Sequence, residues 1–217
     1  MKEYQREFIR LSIANEVLRF GQFTLKSGRV SPFFFNAGLF CSGSALSRLG
    51  TFYASALQES GLDFDVLFGP AYKGIPLASS AAVALARDFD CNVGVTFNRK
   101  EVKAHGEGGK LVGAALKGRV VIIDDVMTAG TAIRESVAII SESPAILAGV
   151  IVALDRQETT TSNDSRSAVQ AVRDELNVPV LSIVTFANLV EYLKEEGGYS
   201  QQILDMEAYR LQFGAEY

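Results

Sequence analysis

Residues 120–132 read Val120-Val121-Ile122-Ile123-Asp124-Asp125-Val126-Met127-Thr128-Ala129-Gly130-Thr131-Ala132. Four consecutive branched aliphatics predict a strand covered on both faces, because a strand with one wet face alternates apolar and polar residues. The strand runs into two adjacent carboxylates and a small-residue turn, and a helix is expected over 131–141. Thr128, Gly130 and Thr131 offer hydroxyls and a permissive backbone. The start of the helix offers unpaired N–H groups at a positive dipole end. Together these seat a phosphate dianion. Asp124 and Asp125 cannot bind phosphate themselves, but they can accept hydrogen bonds from vicinal sugar hydroxyls and stabilise nearby positive charge. A phosphate grip beside diol acceptors suits a ribose 5-phosphate. A strand end with one capping Asp is the bland alternative, and two acids followed by Thr-Ala-Gly-Thr exceed what a cap requires. The chain has no G-x-x-x-x-G-K-[ST] and no G-x-G-x-x-G after a strand, which argues against a P-loop nucleotidase and a dinucleotide-binding dehydrogenase.

Outward from this segment, short Val/Ile-rich runs at 66–69, 93–97, 146–154 and 180–184 read as further buried strands. Helical stretches are expected over 75–89, 165–176, 187–195 and 200–211. Strand–helix repetition predicts an α/β fold with a doubly wound, mostly parallel, five-stranded sheet. Near the N-terminus, Ile9, Ile13, Val17 and Phe20 lie at spacings of four, four and three, predicting a helix over 4–20 with Gly21 as its stop. Short strands are expected at 23–26 and 32–37, then a helix capped by Ser42 and closed by Gly61. The 217 residues are read as one domain: an N-terminal helix and hood over about 1–60, an α/β core over about 61–185, and C-terminal helices over about 186–217.

Apolar residues make up 48% of the chain and charged residues 21%, which excludes disordered, collagen-like and simple coiled-coil classes. A net charge of −4 argues against a nucleic-acid partner, whose affinity comes largely from neutralising phosphates. Cys41, Cys91 and a single His are too few for a disulfide framework or a zinc site, so both cysteines are expected as reduced thiols. The opening MKEYQREFIR has no apolar core of a signal peptide, and no apolar run reaches the ~18 residues of a membrane helix. The expectation is a cytoplasmic protein with no membrane partner.

In open α/β sheets, ligands sit beyond the carboxyl ends of the strands. Three further segments occupy such positions. Residues 99–110 carry Arg99, Lys100, Lys103 and Lys110 against Glu101 and Glu107, with three glycines and the only histidine, His105. This basic, Gly-rich stretch is expected to be a mobile loop suited to a polyanion, against the alternative of a solvated surface loop. Gly69-Pro70-Ala71-Tyr72-Lys73-Gly74-Ile75-Pro76 joins a strand to a helix, and its glycines allow close backbone approach to a ligand. The plain alternative is a turn with a snorkelling Lys73. Arg156 follows the 146–154 strand and suits a carboxylate or a pyrimidine carbonyl, unless it simply pairs with Asp155. Earlier, Phe33, Phe34 and Phe35 are consecutive, so they cannot all face one side of a strand.

The Asp124–Ala132 segment resembles the 5-phosphoribosyl 1-diphosphate (PRPP) motif of the type I phosphoribosyltransferases. With the basic loop and the Tyr72-Lys73 turn, the resemblance narrows to the orotate phosphoribosyltransferases and covers essentially the whole chain. Met127 departs from the aliphatic residue expected there, a conservative change. The resemblance implies the type I phosphoribosyltransferase fold with a hood over the base site, and a non-proline cis peptide in the 69–76 turn. It implies transfer of ribose 5-phosphate from PRPP to N1 of orotate, giving orotidine 5′-monophosphate and diphosphate in pyrimidine biosynthesis. The implied PRPP contacts are Lys26, Tyr72, Lys73, Arg99, Lys100, Lys103 and His105, together with Asp124, Asp125, Val126, Met127, Thr128, Ala129, Gly130, Thr131 and Ala132. Orotate falls to Phe34, Phe35, Thr128 and Arg156, and the catalytic roles to Asp124, Asp125, Lys103 and His105. Mg²⁺ is expected as cofactor, held mainly through PRPP and water with no side chain assigned as its ligand. A homodimer is implied, each loop reaching its partner's site. A phosphoribosyltransferase for another base, and a PRPP-sensing regulator without catalysis, are the alternatives.

Overall fold

The computed structural model describes residues 1–103, 109–161 and 164–216. Helix α1 (Glu3–Ala14) buries Phe8, Ile9 and Leu11 and is shorter than the apolar spacing predicts. It ends because Asn15 leaves helical geometry and Glu16 takes a left-handed φ of 56°. Val17 and Phe20 therefore lie beyond the helix, Val17 as a buried link and Phe20 within β1 (Leu18–Thr24), which pairs antiparallel with β2 (Val30–Phe35). Gly21 stops no helix. It lies where the β1–β2 register shifts between Phe20 and Phe23, at a φ of +148°. Helix α2 (Gly43–Ser60) begins where Ala45 N–H donates to Ser42 Oγ (3.2 Å) and ends at Gly61 with φ 65°, as the sequence predicts.

The main sheet uses β3 (Val66–Phe68), β4 (Gly94–Lys103), β5 (Gly109–Gly113), β6 (Gly118–Val126), β7 (Ala145–Asp155) and, beyond a small hairpin of β8 (Thr159–Thr161) and β9 (Asp164–Ser167), β10 (Val180–Thr185). The connecting helices are α3 (Gly74–Phe89), α4 (Thr131–Ser141) and α5 (Ala168–Leu176), with α6 (Phe186–Glu196) and α7 (Ser200–Phe213) after β10. Strand order is β10-β7-β6-β3-β4-β5. The five expected strands are all present and parallel, and β5 adds a sixth, antiparallel to β4. The expected loop at 99–110 is corrected at its two ends, where Arg99–Lys103 prolong β4 and Gly109 begins the return strand; residues 104–108 lie outside the described residues. These arms pair through the main chain and carry too few apolar residues, Val102 on one and the adjacent Leu111 and Val112 on the other, for a period-two pattern to signal them. The expected helix over 165–176 starts later, at Ala168, because 164–167 pair with β8.

The central strands divide their side chains by the pleat. Val121, Ile123, Ile151 and Ala153 join the core beneath α2 and α3, while Val120, Ile122, Val150 and Val152 join the one beneath α4 and α5. Each fully buried aliphatic is worth roughly 1.5–3 kcal/mol, so a one-residue slip of β6 is heavily disfavoured. Helix α2, grouped with the N-terminal hood by its position in the chain, instead packs against α3, β7 and β10. Gly50 makes that packing feasible, since a Cβ there would lie 2.3 Å from the Ser80 carbonyl oxygen. From β3 the chain moves outward to β4, then returns to β6 on the other side. The β3–β6 boundary is therefore the topological switch point, where α/β sheets open a crevice for ligands.

Candidate active site

Both segments flanking the crevice carry predicted site residues. At the end of β6, Asp125 N–H donates to Asp124 Oδ1 (2.9 Å) and Val126 N–H to Asp125 Oδ1 (2.9 Å), so each carboxylate is oriented by the next peptide. The buried Tyr53 hydroxyl of α2 donates to the Asp124 carbonyl (2.8 Å) and ties the strand end to the helix layer. Burial, and then the charge of Asp125, push the Asp124 carboxyl up to about 6; Lys73 opposes this. Tyr53 is raised well above the usual phenol range, chiefly by burial.

After β3, the turn closes with Gly74 N–H donating to the Pro70 carbonyl (2.9 Å), and its Ala71–Tyr72 peptide is cis. Asn98 of β4 holds the turn by accepting from Ala71 N–H at 2.8 Å. Gly69 and Gly74 lie too close for side chains: a Cβ on Gly69 would sit 2.2 Å from the Gly74 oxygen. Lys73 reaches across the switch point to Asp125 Oδ2, 2.7 Å away. Lys100 stands 5.0 Å over the exposed Tyr72 ring, so the basic arm of β4 meets the same turn. Arg99 lies on that arm, half-buried.

The turn 127–131 makes the third wall. Met127 is buried beneath α4 and α5, Val126 packs toward the other core, and Thr128 and Ala129 are exposed. Gly130 caps α4 with φ 72°, and a Cβ there would meet Val172 at 2.7 Å, so this position needs glycine. The N–H groups of Thr131 and Ala132 precede the first helical bond, in which Arg134 N–H donates to the Gly130 carbonyl (3.0 Å), as the first N–H groups of a helix do. Arg134 donates from Nη1 to the Ala129 carbonyl (2.6 Å) and is itself clasped by Glu175 (Nη2–Oε2, 2.7 Å). A cavity of ≈ 600 Å³ opens beside Thr128 and Ala129.

Just past the end of β7, Arg156 is almost fully buried. It donates from Nε to Glu158 Oε1 (2.9 Å) and from Nη2 to Ser31 Oγ (2.9 Å), and its guanidinium lies 4.1 Å over the Phe33 ring. Glu158 is an ion-pair partner of Arg156 that the sequence reading did not name. The three aromatics divide as the pleat demands. Phe33 is buried against Phe186, and Phe35 against Phe8. Phe34 turns to the opposite face and stacks on Phe23.

The comparisons agree with this geometry. Residues 43–176 match the family model of the phosphoribosyl transferase domain. Orotate phosphoribosyltransferase of Aliivibrio fischeri is 56% identical over 214 residues, covering 99% of this chain and all of the relative. That of Pseudomonas syringae pv. syringae is 59% identical over the same share. The crystal structure of the Francisella tularensis orotate phosphoribosyltransferase superposes with a TM-score of 0.87 at 41% identity, spanning 96% of this chain and 100% of that one. The chain belongs to the orotate phosphoribosyltransferase family.

Against the family pattern, the structure brings Lys73, Tyr72, Lys100, Asp124, Asp125 and the 126–132 turn around one crevice, with Arg156 under the hood. Lys26 sits in the exposed β1–β2 turn and forms no hydrogen bond or ion pair with the described residues. His105 lies outside the described residues, and Lys103 is described only as the last residue of β4. Sequence reasoning missed Tyr53, Asn98, Arg134 and Glu158, which hold site segments in place, Arg134 also lining the cavity beside Thr128 and Ala129. Only Asn98 carried a signal, its place near a strand's carboxyl end. For Mg²⁺, Asp124 and Asp125 present hard oxygen donors, yet the described residues contain no cluster of three or more metal-binding side chains. Such a donor set fits an ion held mostly by substrate oxygens and water. No helix among the described residues is long and apolar enough to cross a membrane.

Proposed function

We infer that this chain transfers ribose 5-phosphate from PRPP to N1 of orotate, forming orotidine 5′-monophosphate and releasing diphosphate. The observation that carries the reading is the crevice at the switch point, where an acid pair, a cationic turn and a phosphate-seating helix start converge. The 5-phosphate is held by the backbone of Thr128–Ala132 and the start of α4. Asp124 and Asp125 accept hydrogen bonds from the ribose hydroxyls. As the bond from C1 to the diphosphate oxygen breaks, its electron pair leaves with diphosphate and the ribose gains oxocarbenium character. The carboxylates stabilise that charge. Orotate N1 then bonds to C1; it is anionic or readily made so, and no strong general base is needed.

Lys73, Arg99 and Lys100 supply positive charge against the diphosphate and Tyr72 a hydroxyl, joined by Lys103, His105 and Lys26 on the family pattern. Mg²⁺, bound with PRPP, neutralises part of the leaving group's charge. Arg156 and Thr128 take orotate, with Phe34 and Phe35 in the hood. We further propose that residues 1–217 act as one catalytic unit, that it works as a cytoplasmic homodimer with the basic 99–110 segment crossing to the partner's site, and that closure of this segment over the site excludes water.

Loss of orotate absorbance with PRPP and Mg²⁺, run beside uracil and hypoxanthine, tests the reading. Consumption of orotate alone, abolished by chelation, is the expected result. Preference for hypoxanthine or uracil assigns another base, and tight PRPP binding without turnover assigns a sensor.

A further inference from the structure

The C-terminal end of the chain returns to the segment that carries Arg156. Ala215 N–H donates to the Gln157 carbonyl (2.8 Å), and Gly214 forms an antiparallel bridge with Glu158. Thr159 Oγ1 donates to the Phe213 carbonyl (3.2 Å), and Gln170 Nε2 to that of Glu216. The hood joins the same knot: Arg29 donates from Nη1 to the Thr159 carbonyl (2.7 Å) while lying 4.8 Å over the Phe213 ring. The residues so gripped, 157–159, include Gln157 in a left-handed conformation, a geometry that needs outside support.

Inside this knot Glu158 holds Nε and Nη2 of Arg156, leaving Nη1 uncommitted to either partner. Tyr209 of α7 is buried with its hydroxyl within reach of both Arg156 and Glu158, yet the hydroxyl completes no hydrogen bond of good geometry among the described residues. A buried hydroxyl without a partner is costly and calls for one at some stage of the cycle. Glu158 is the acceptor at hand once an incoming carboxylate draws the guanidinium away.

We propose that Glu158, Tyr209 and the tail 214–216 are positioning residues that aim Arg156 at the carboxylate of the base, so that the end of the chain sets affinity for the acceptor and not for PRPP. The proposal rests on the reading that Arg156 binds orotate. Without ligand, Glu158 stands in for the substrate carboxylate and keeps the guanidinium planar and oriented. On binding, Arg156 shares its donors with orotate, and the Tyr209 hydroxyl donates to the lone pair released on Glu158. A guanidinium fixed in this way loses less freedom on binding than a free one.

The test measures KM for orotate and for PRPP separately in Tyr209→Phe, Glu158→Gln, Gly214→Val and a chain lacking residues 214–217, beside Arg156→Ala. A Cβ at Gly214 would lie 2.5 Å from the Arg210 carbonyl, so Gly214→Val loosens the strap without shortening the chain. KM for orotate is expected to rise about tenfold in the strap variants, with KM for PRPP within about twofold. Tyr209→Phe is expected to raise it less, with an unchanged melting temperature. A rise in both KM values together, or a fall in kcat tracking lost thermal stability, overturns the proposal in favour of a purely structural tail. If Arg156→Ala leaves KM for orotate unchanged, the underlying reading fails. If it raises that KM while all four others behave as wild type, the reading stands and the proposal falls.

Discussion

The Lys73 ammonium lies 2.7 Å from Asp125 Oδ2, joining residues 52 apart in the chain across the one boundary of the sheet where strand order reverses. Lys73 is more than half exposed and Asp125 is largely buried. The pair therefore adds little to stability, about 0–1 kcal/mol, while setting the charge of the crevice.

Replacing Lys73 by Met is expected to leave the melting temperature nearly unchanged and to lower kcat/KM for PRPP by about a hundredfold. Asp125→Asn should do the same. Because the two groups share one interaction, the double variant should lose much less than the product of the single losses. Steady-state kinetics of the four proteins checks this, and independent, multiplicative effects would dissociate the pair.

Asp124 provides a pH prediction whose sign follows from its raised folded-state pKa of about 6, against an ordinary value of 3.8. The folded protein prefers the neutral carboxyl. The group costs nothing below pH 3.8, its cost grows as pH rises toward about 6, and the cost is complete above that. Asp124→Asn should therefore stabilise the fold above pH 6 by roughly 1–3 kcal/mol, with the gain vanishing near pH 4, while destroying activity. Denaturant titrations across this range decide it. In the wild type, if the ionised form serves the ribose, kcat/KM for PRPP should fall below about pH 6.

Gly130→Ala imposes a left-handed φ on a residue with a Cβ that would meet Val172 at 2.7 Å. A loss of about 1–3 kcal/mol is expected. A raised KM for PRPP is expected with it, since the turn must shift to relieve the clash. Arg134→Met, which frees the Ala129 carbonyl, should also raise KM for PRPP with a smaller change in stability. A PRPP affinity indifferent to both variants would remove this turn from the phosphate site.

If hairpins cross between subunits, mixing inactive Lys103→Ala with inactive Asp125→Asn should recover part of the activity, since one site in each heterodimer then has both wild-type parts. Verified heterodimers without activity would mean self-contained subunits.

The sequence showed the parallel core because strands such as 120–123 are uninterrupted aliphatics, a pattern few other structures produce. It misplaced the end of α1 because Val17 and Phe20 continue a helical spacing that Glu16, at a left-handed φ, has already broken. The arms at 99–103 and 109–113 and the 164–167 strand are held by main-chain pairing, and their few apolar residues, Val102, Leu111 and Val112, do not alternate along them, so no hydrophobic period marks them. Of the candidate site, the acids, cations and glycines of the two turns were legible, because such residues in a turn have few other uses. Their supports were not. Tyr53 reads as one more apolar position of α2, and Glu158 and Tyr209 acquire meaning only when the chain's end folds back over Arg156.

The strand that bears the acid pair is also the middle of the sheet, with Val120, Val121, Ile122 and Ile123 fully shielded and pairing partners on both sides. During synthesis, that shielding is borrowed from segments not yet made. A nascent chain ending at Glu142 already carries β3, β4 and β6 but lacks β7, and so offers the most adhesive edge of the molecule to any passing strand. Such a fragment should precipitate where one ending after Leu154 is markedly more soluble. Biogenesis of this enzyme thus has its critical moment between those two points, when the acid pair has been made and its strand is still unprotected in space.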